Sequence, residues 1–284
     1  EIGSGLVGSE MCIRDRLTNN GKIDTAKVIE TVKEKKPDVI FIQRSRGYSW
    51  RSALSVQEIS EIVTQIKKIN DLPVIVDNCY GEFTDTTEPT DFGADIAVGS
   101  LIKNPGGGLA PTGGYIAGKK VFTELIPGRL TAPGIGMEVG SYAFGYQYFY
   151  QGLFMAPHIV AQALKASALF SRVFEIMGYE TLPVYGEKQN DIITSIKFNT
   201  KEELISFCQT IQTFSPVDSH VLPEPWDMPG YKHQVIMAAG AFVQGASIEM
   251  SADAPIKKPF IAYFQGSLTY EHAKIVLNRI LDKI

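Results

Sequence analysis

The sequence has little of what marks several specialised classes of protein. Its three cysteines, Cys12, Cys79 and Cys208, are too few for a disulfide framework. With 27 Lys and Arg against 31 Asp and Glu, the net charge is −4, so no basic excess indicates a nucleic-acid partner. Apolar runs such as 235–248 are too short and too interrupted to predict a membrane span, and no signal peptide is visible. These absences predict a soluble, cytoplasmic protein.

What is present is the composition of an ordinary globular chain. Hydrophobic residues make up 44% of the 284 residues and charged residues 20%, which excludes disorder and allows a large buried core. The histidines lack the spacing of metal ligands, so we predict no metal site. They are His158, His220, His233 and His272.

The first sixteen residues stand apart from the rest. They read EIGSGLVGSEMCIRDR and show neither helical nor strand periodicity, and no helix cap marks their junction with residue 17. Residues 7–16 resemble a peptide translated from sequencing adapter, and the chain does not start with methionine. We therefore expect residues 1–16 to be a non-native scar that takes no part in the fold, and the chain to be truncated on that side. A natural flexible tail is the alternative.

From residue 17 to 155, short apolar runs alternate with amphipathic helical patterns. One helix is predicted at 23–34, and a second starts after Ser55, where Glu58 completes a capping box. This alternation predicts an α/β fold with a mainly parallel sheet, in which ligands sit beyond the carboxyl ends of the strands. The predicted strands are 38–43, 73–76, 95–98 and 114–117.

From residue 156 to 284 the strict alternation is lost. Pro157 is predicted to open a long helix that ends near Gly178. We expect this helix to link the first part to a smaller α+β C-terminal domain. That domain is predicted to contain strands at 191–198, 235–237, 246–250 and 260–264 and helices at 201–214 and 270–281.

Three residues with useful chemistry fall near predicted strand ends. Asp77 closes strand 73–76, and Ser100 and Lys103 lie just beyond strand 95–98. A lysine can bond an aldehyde cofactor, a carboxylate can keep a pyridine ring protonated, and a hydroxyl can bind a phosphate. A surface lysine and a turn-capping aspartate fit the same spacing, so the pattern alone leaves both interpretations open.

Several motifs in order carry a resemblance to a known family. Residues 74–83 read VIVDNCYGEF, 99–108 read GSLIKNPGGG, and 113–118 read GGYIAG. Further matching stretches are 43–51, 129–136 and 263–268. Together they resemble the fold-type-I pyridoxal-phosphate enzymes, and most of all the methionine gamma-lyase-like family, often labelled aluminium resistance protein, of the Cys/Met metabolism group.

The resemblance implies roles for these residues. Lys103 is expected to hold pyridoxal 5'-phosphate as an internal aldimine and to act as the catalytic proton-transfer base. Asp77 is expected to pair with the pyridine nitrogen, and Ser100 to contact the phosphate. The implied activity is a carbon–sulfur lyase acting on a sulfur-containing amino acid, in a homodimer or homotetramer. Residues 17–155 would be part of the large cofactor-binding domain.

The sequence also departs from the family's pattern. The family's phosphate-cradling loop and ring-stacking aromatic residue, which lie upstream, are absent, and stretch 261–266 lacks the arginine that clamps the substrate carboxylate. Arg44, Arg46 and Arg129 are the candidates to replace that arginine. Two alternatives stay open: a transaminase or decarboxylase on the same scaffold, and a non-catalytic, metal-stress-related protein that binds the cofactor.

Overall fold

Two β-sheets, one in each half of the chain, organise the computed structural model, which describes Thr18 and residues 21–283. The first sheet has the order β1-β2-β3-β4. Its strands are β1 (Ile40–Gln43), β2 (Val74–Asp77), β3 (Ile96–Ser100) and β4 (Gly114–Gly118). The first three are parallel and β4 is antiparallel to β3, so the sheet is mixed. Strand β4 can reverse because the β3–β4 connection holds only a short 3-10 turn and no crossover helix.

Helix α2 (Val56–Ile69) supplies much of the apolar surface that covers this sheet. Its residues Ile59 and Ile66 are fully buried and share a core with Val74 and Val76 of β2. The predicted capping box is present: Ser55 Oγ accepts a hydrogen bond from the Glu58 N–H at 3.1 Å, and Glu58 Oε2 accepts one from the Ser55 N–H at 2.9 Å. The shorter helix α1 is Thr25–Lys35.

Two short helices, α3 (Lys120–Leu125) and α4 (Pro127–Leu130), lead to the long helix α5 (Gln147–Ile176). The prediction that Pro157 opens this helix was wrong, because Pro157 lies inside it. The missing Pro157 N–H removes one intrahelical bond, yet the first turns pack at Gly152 against the Gly106 backbone, which stabilises them. By length and composition α5 could cross a membrane, but its buried residues, such as Phe170 and Phe174, line the second core.

The second sheet is antiparallel throughout, with the order β5-β6-β9-β8-β7. Its strands are β5 (Glu180–Leu182), β6 (Ile193–Phe198), β7 (Val235–Ala238), β8 (Ser251–Pro255) and β9 (Phe260–Gln265), and its helices are α6 (Lys201–Thr213) and α7 (Tyr270–Leu281). The prediction of a strand at 246–250 was wrong. A 3-10 turn occupies Ser247–Glu249, and Met250 has a φ of +95°, so the extended chain begins only at β8.

Aromatic packing builds the core of this second half. The rings of Phe170 in α5 and Phe264 in β9 stack with centroids 3.9 Å apart, and Phe207 of α6 meets Phe170 edge-on. The predicted boundary between residues 155 and 156 falls inside helix α5 and stays a prediction. The predicted scar at 1–16 lies outside the described residues.

Candidate active site

The candidate site lies at the carboxyl ends of β2 and β3. Asp77 is the last residue of β2, and Ser100 is the last residue of β3 rather than lying just beyond the strand as predicted. Lys103 follows three residues later, at the start of a 3-10 turn at Asn104–Gly106. Because β2 and β3 are parallel neighbours, all three residues lie at one edge of the sheet, where open α/β sheets bind their ligands.

Cys79 joins Asp77 to Lys103. The Cys79 N–H donates to Asp77 Oδ1 at 3.0 Å, and the Lys103 Nζ lies 4.0 Å from Cys79 Sγ. Burial, together with the negative charge of Asp77, raises the pKa of the Cys79 thiol to about 12. A thiol that stays protonated at neutral pH is a poor nucleophile, so Cys79 serves here as a small packing residue.

The aromatic ring of Tyr80 lies against the Lys103 side chain. The Lys103 Nζ lies 5.1 Å from the centroid of the Tyr80 ring, a cation–π distance. The Lys103 N–H also donates to the Ser100 carbonyl at 3.3 Å, which closes the turn between the strand end and the lysine. The Ser100 hydroxyl has no hydrogen-bond partner among the described residues. The structure therefore brings Asp77 and Lys103 together and places Ser100 on the same edge.

The candidate carboxylate-binding arginines behave differently from one another. The Arg44 side chain, 1% exposed, donates to Asn78 Oδ1 at 2.7 Å and to the Gly81 carbonyl at 3.0 Å. The buried Arg46 forms an ion pair of 2.9 Å with Asp191. Neither guanidinium is open to a substrate carboxylate. Arg129 is exposed in the last turn of α4, and within the part of the chain that the structure describes no such internal bond holds its side chain.

Two buried polar residues lie beside the site that the sequence pattern did not predict. Glu82 is 3% exposed, its Oε1 accepts a hydrogen bond from the Tyr115 hydroxyl at 2.9 Å, and burial raises its pKa to about 8. Asn104, 0% exposed, directly follows Lys103 and donates to the Glu82 carbonyl at 2.9 Å. The sequence did contain a signal for both residues. Glu82 lies in the 74–83 motif that carries Asp77, and Asn104 lies in the 99–108 motif that carries Lys103.

Two glycines give the site its close packing. A Cβ at Gly99 in β3 would collide with Glu82 Oε1 and with the Tyr115 ring. Gly107 has a φ of +54°, which favours glycine, and a Cβ there would press against the Gly152 carbonyl of α5. The glycine-rich stretch after the lysine is therefore a turn packed on helix α5.

The comparisons with known proteins agree on one family. A family model described as methionine gamma-lyase matches residues 12–284. The uncharacterized protein YnbB of Bacillus subtilis is 49% identical over 269 residues, which cover 94% of this chain and 64% of YnbB. The crystal structure of a carbon-sulfur lyase involved in aluminium resistance from Clostridium novyi is 54% identical, with a TM-score of 0.88, over 94% of this chain and 62% of that chain. This chain thus spans less than two thirds of both proteins.

More distant structures show the fold. The pyridoxal-5'-phosphate-dependent protein YhfS of Escherichia coli has a TM-score of 0.56 at 14% identity, and it is matched over 92% of this chain. A cystathionine gamma synthase from Xanthomonas oryzae has a TM-score of 0.53 at 12% identity. At such low identity these likenesses establish a shared architecture and nothing of the reaction.

Proposed function

The chain belongs to the methionine gamma-lyase family, and on that premise we propose that it acts, in the whole protein, as a pyridoxal-phosphate-dependent carbon–sulfur lyase on a sulfur-containing amino acid. The observation that carries the proposal is the meeting of Lys103 and Asp77 around Cys79 at the ligand-binding edge of the sheet. The carbon-sulfur lyase of Clostridium novyi, which is similar over most of this chain, supports the reaction class.

The residues present fit the cofactor. Neither Lys103 nor Asp77 has an ion-pair partner among the described residues, so an amine and a carboxylate both remain free to bind a ligand. The Ser100 hydroxyl adds a free donor on the same edge. An amine, a carboxylate and a hydroxyl match the aldehyde, the pyridine nitrogen and the phosphate of pyridoxal 5'-phosphate. When bound, this cofactor supplies an electron sink for a carbanion at the substrate Cα.

Each side chain then has a distinct task. Lys103 would hold the cofactor's aldehyde through its Nζ, and its amine would serve as the base for the proton at the substrate Cα. The Asp77 carboxylate would hold the pyridine nitrogen, and the Ser100 hydroxyl would hold the phosphate. Tyr80 limits the positions of the Lys103 Nζ, because the ring face attracts the ammonium group.

We further propose a cytoplasmic homodimer or homotetramer that binds no nucleic acid and no membrane. Exposed apolar side chains between residues 121 and 154 support a second copy of the chain as partner, since monomers rarely expose such patches. They include Leu125, Leu130, Phe144, Tyr150 and Phe154. We also propose that residues 17–155 belong to the large cofactor-binding domain and that 156–284 form the linking helix and the small domain.

The test is Lys103→Ala in the full-length protein, with Lys120→Ala as the matched control. Lys120 is exposed on α3 and pairs with Glu124 at the surface. After incubation with pyridoxal 5'-phosphate and dialysis, Lys103→Ala should lack the visible absorbance band that the wild type and Lys120→Ala retain. A retained band in Lys103→Ala would remove Lys103 from its assigned role.

The reaction is tested on the same proteins. Cystathionine, cysteine and methionine are offered in turn, and release of a ketoacid and of a thiol is measured. The wild type should release both from at least one of them, and Lys103→Ala from none. Release of a ketoacid without a thiol would favour a transaminase, release of CO2 a decarboxylase, and a bound cofactor without any product the non-catalytic alternative.

A further inference from the structure

Asn104, the residue after Lys103, is tied to the turn that comes after Asp77. Its side chain is fully buried, and its Nδ2 donates to the Tyr80 carbonyl at 3.1 Å and to the Glu82 carbonyl at 2.9 Å. A buried amide that bonds two main-chain carbonyls of another loop holds that loop at a defined distance. Lys103 is therefore anchored, through its neighbour, to the segment that carries Asp77.

The anchored turn has an unfavourable backbone conformation. Tyr80 and Phe83 have φ values of +72° and +59°, in the left-handed region that bulky residues rarely adopt. Such conformations persist only where the surroundings hold them in place. The Asn104 amide bonds the carbonyls on both sides of Gly81 and so provides part of that restraint. The Tyr80 ring, which lies under the Lys103 Nζ, is placed by this same turn.

Glu82 extends the restraint to the sheet below. Its Oε1 accepts a hydrogen bond of 2.9 Å from the hydroxyl of Tyr115, which faces Gly99 across the β3–β4 pair. The Tyr115 hydroxyl in turn lies 3.4 Å from the donor amide of Asn78, the residue after Asp77. The buried chain of contacts thus runs from the neighbour of Lys103 to the neighbour of Asp77.

We propose that Asn104, Glu82 and Tyr115 form a polar brace that positions Lys103 relative to Asp77. They are positioning residues, because none of them touches the reacting groups directly. The proposal rests on the proposed function in one respect only, that Lys103 is the lysine that binds the cofactor. The distances and burial of the brace stand without that assignment.

The first test compares Asn104→Ala with Ser171→Ala in the full-length protein. Ser171 is also buried, and its hydroxyl donates to the Pro183 carbonyl at 3.0 Å, so each variant loses buried hydrogen bonding to main chain. Pyridoxal 5'-phosphate is added, trapped with borohydride, and its attachment to Lys103 is followed by peptide mass spectrometry. Asn104→Ala should slow this labelling about tenfold, since small displacements are costly at reacting groups, and Ser171→Ala should leave it unchanged.

A second measurement needs no cofactor. Alkylation of Cys79 by iodoacetamide reports whether the turn has loosened, because the thiol is half-buried between Asp77 and Lys103. Asn104→Ala should speed it about tenfold, whereas Ser171→Ala should not. If wild-type Lys103 is not labelled at all, the proposed function fails, and Cys79 alkylation still decides whether the brace exists.

Milder variants cover the case in which Asn104→Ala does not fold. Tyr115→Phe removes only the hydroxyl of the brace and should slow Lys103 labelling about threefold, the effect of one lost hydrogen bond. Glu82→Leu should slow it at least as much, and Glu82→Gln, which keeps the acceptor for Tyr115, should restore most of it. Wild-type labelling and alkylation rates in Tyr115→Phe and in every folded Asn104 variant would overturn the proposal.

Discussion

At the scale of single residues, Glu82 makes stability depend on pH. Burial raises its pKa to about 8 from an ordinary value near 4.5, so the folded protein keeps a proton that the unfolded chain releases. Stability must therefore fall as pH rises through that window. Because Gln cannot ionise, Glu82→Gln should gain stability relative to the wild type by roughly 2–4 kcal/mol between pH 5 and pH 8. Urea unfolding at the two pH values measures this change.

An exposed carboxyl group provides the control for that experiment. Glu124 lies at the surface of α3, so Glu124→Gln should differ from the wild type by a nearly constant amount at both pH values. If the difference between Glu82→Gln and the wild type is equally constant, Glu82 is ionised in the folded protein at neutral pH.

Residue identity alone could locate part of the site. The shared edge of Asp77, Ser100 and Lys103 was predictable, because apolar runs mark where strands end and parallel neighbours end together. The burial of the Arg44 side chain could not be predicted in the same way, since its hydrogen-bond partners Asn78 and Gly81 are 34 and 37 residues away in sequence. From sequence alone, an arginine in a loop is predicted to bind a ligand. Only the fold shows that the guanidinium N–H groups of Arg44 already donate to other groups of the protein.

At the scale of elements, the start of α2 depends on Ser55. Its Oγ accepts the Glu58 N–H, and Glu58 also pairs with Lys22 at 3.0 Å. Ser55→Ala removes the cap and should lower the free energy of unfolding by about 1 kcal/mol, measured by urea denaturation. Ser55→Asp, which can still accept that bond, should lose much less. Equal losses in both variants would mean that the cap does not stabilise the helix.

The helices and helix ends that depend on residues close together in sequence were the ones that could be predicted. The capping box at Ser55 and the final helix at Tyr270–Leu281 arise from short-range signals, and both were found. The start of α5 was missed because Pro157 is normally a boundary, whereas here tertiary packing at Gly152 outweighs the lost bond. The strand predicted at 246–250 was wrong because its apolar residues suit a strand, whereas a 3-10 turn at Ser247–Glu249 and the +95° φ of Met250 interrupt the extended chain.

At the scale of the whole molecule, a buried ion pair joins the two halves. Arg46, beyond β1, bonds both oxygens of Asp191 at 2.9 and 3.3 Å and also donates to the Leu182 carbonyl at 2.8 Å. Arg46→Met leaves the Asp191 carboxylate buried without its cation, so we expect a loss of about 3–5 kcal/mol in thermal or urea unfolding. Adding Asp191→Asn should recover part of that loss, because the stranded charge is then removed.

An exposed pair spans the same two halves and serves as the control. Lys188 pairs with Asp85, and its side chain is largely exposed. Lys188→Ala should therefore lower stability by less than about 1 kcal/mol. A loss as large as that of Arg46→Met would indicate that any link between the halves matters equally, whether buried or exposed.

The order of the strands has a consequence for the time course of folding. In the first sheet, β1, β2, β3 and β4 are neighbours in space in the order in which the ribosome makes them, so each pairing can close soon after its second strand emerges. In the second sheet, β6 must wait for β9, after α6, β7 and β8 have been synthesised. Such non-local pairings close slowly. The edge that holds Asp77 and Lys103 is thus assembled early, and the half that packs against it arrives later.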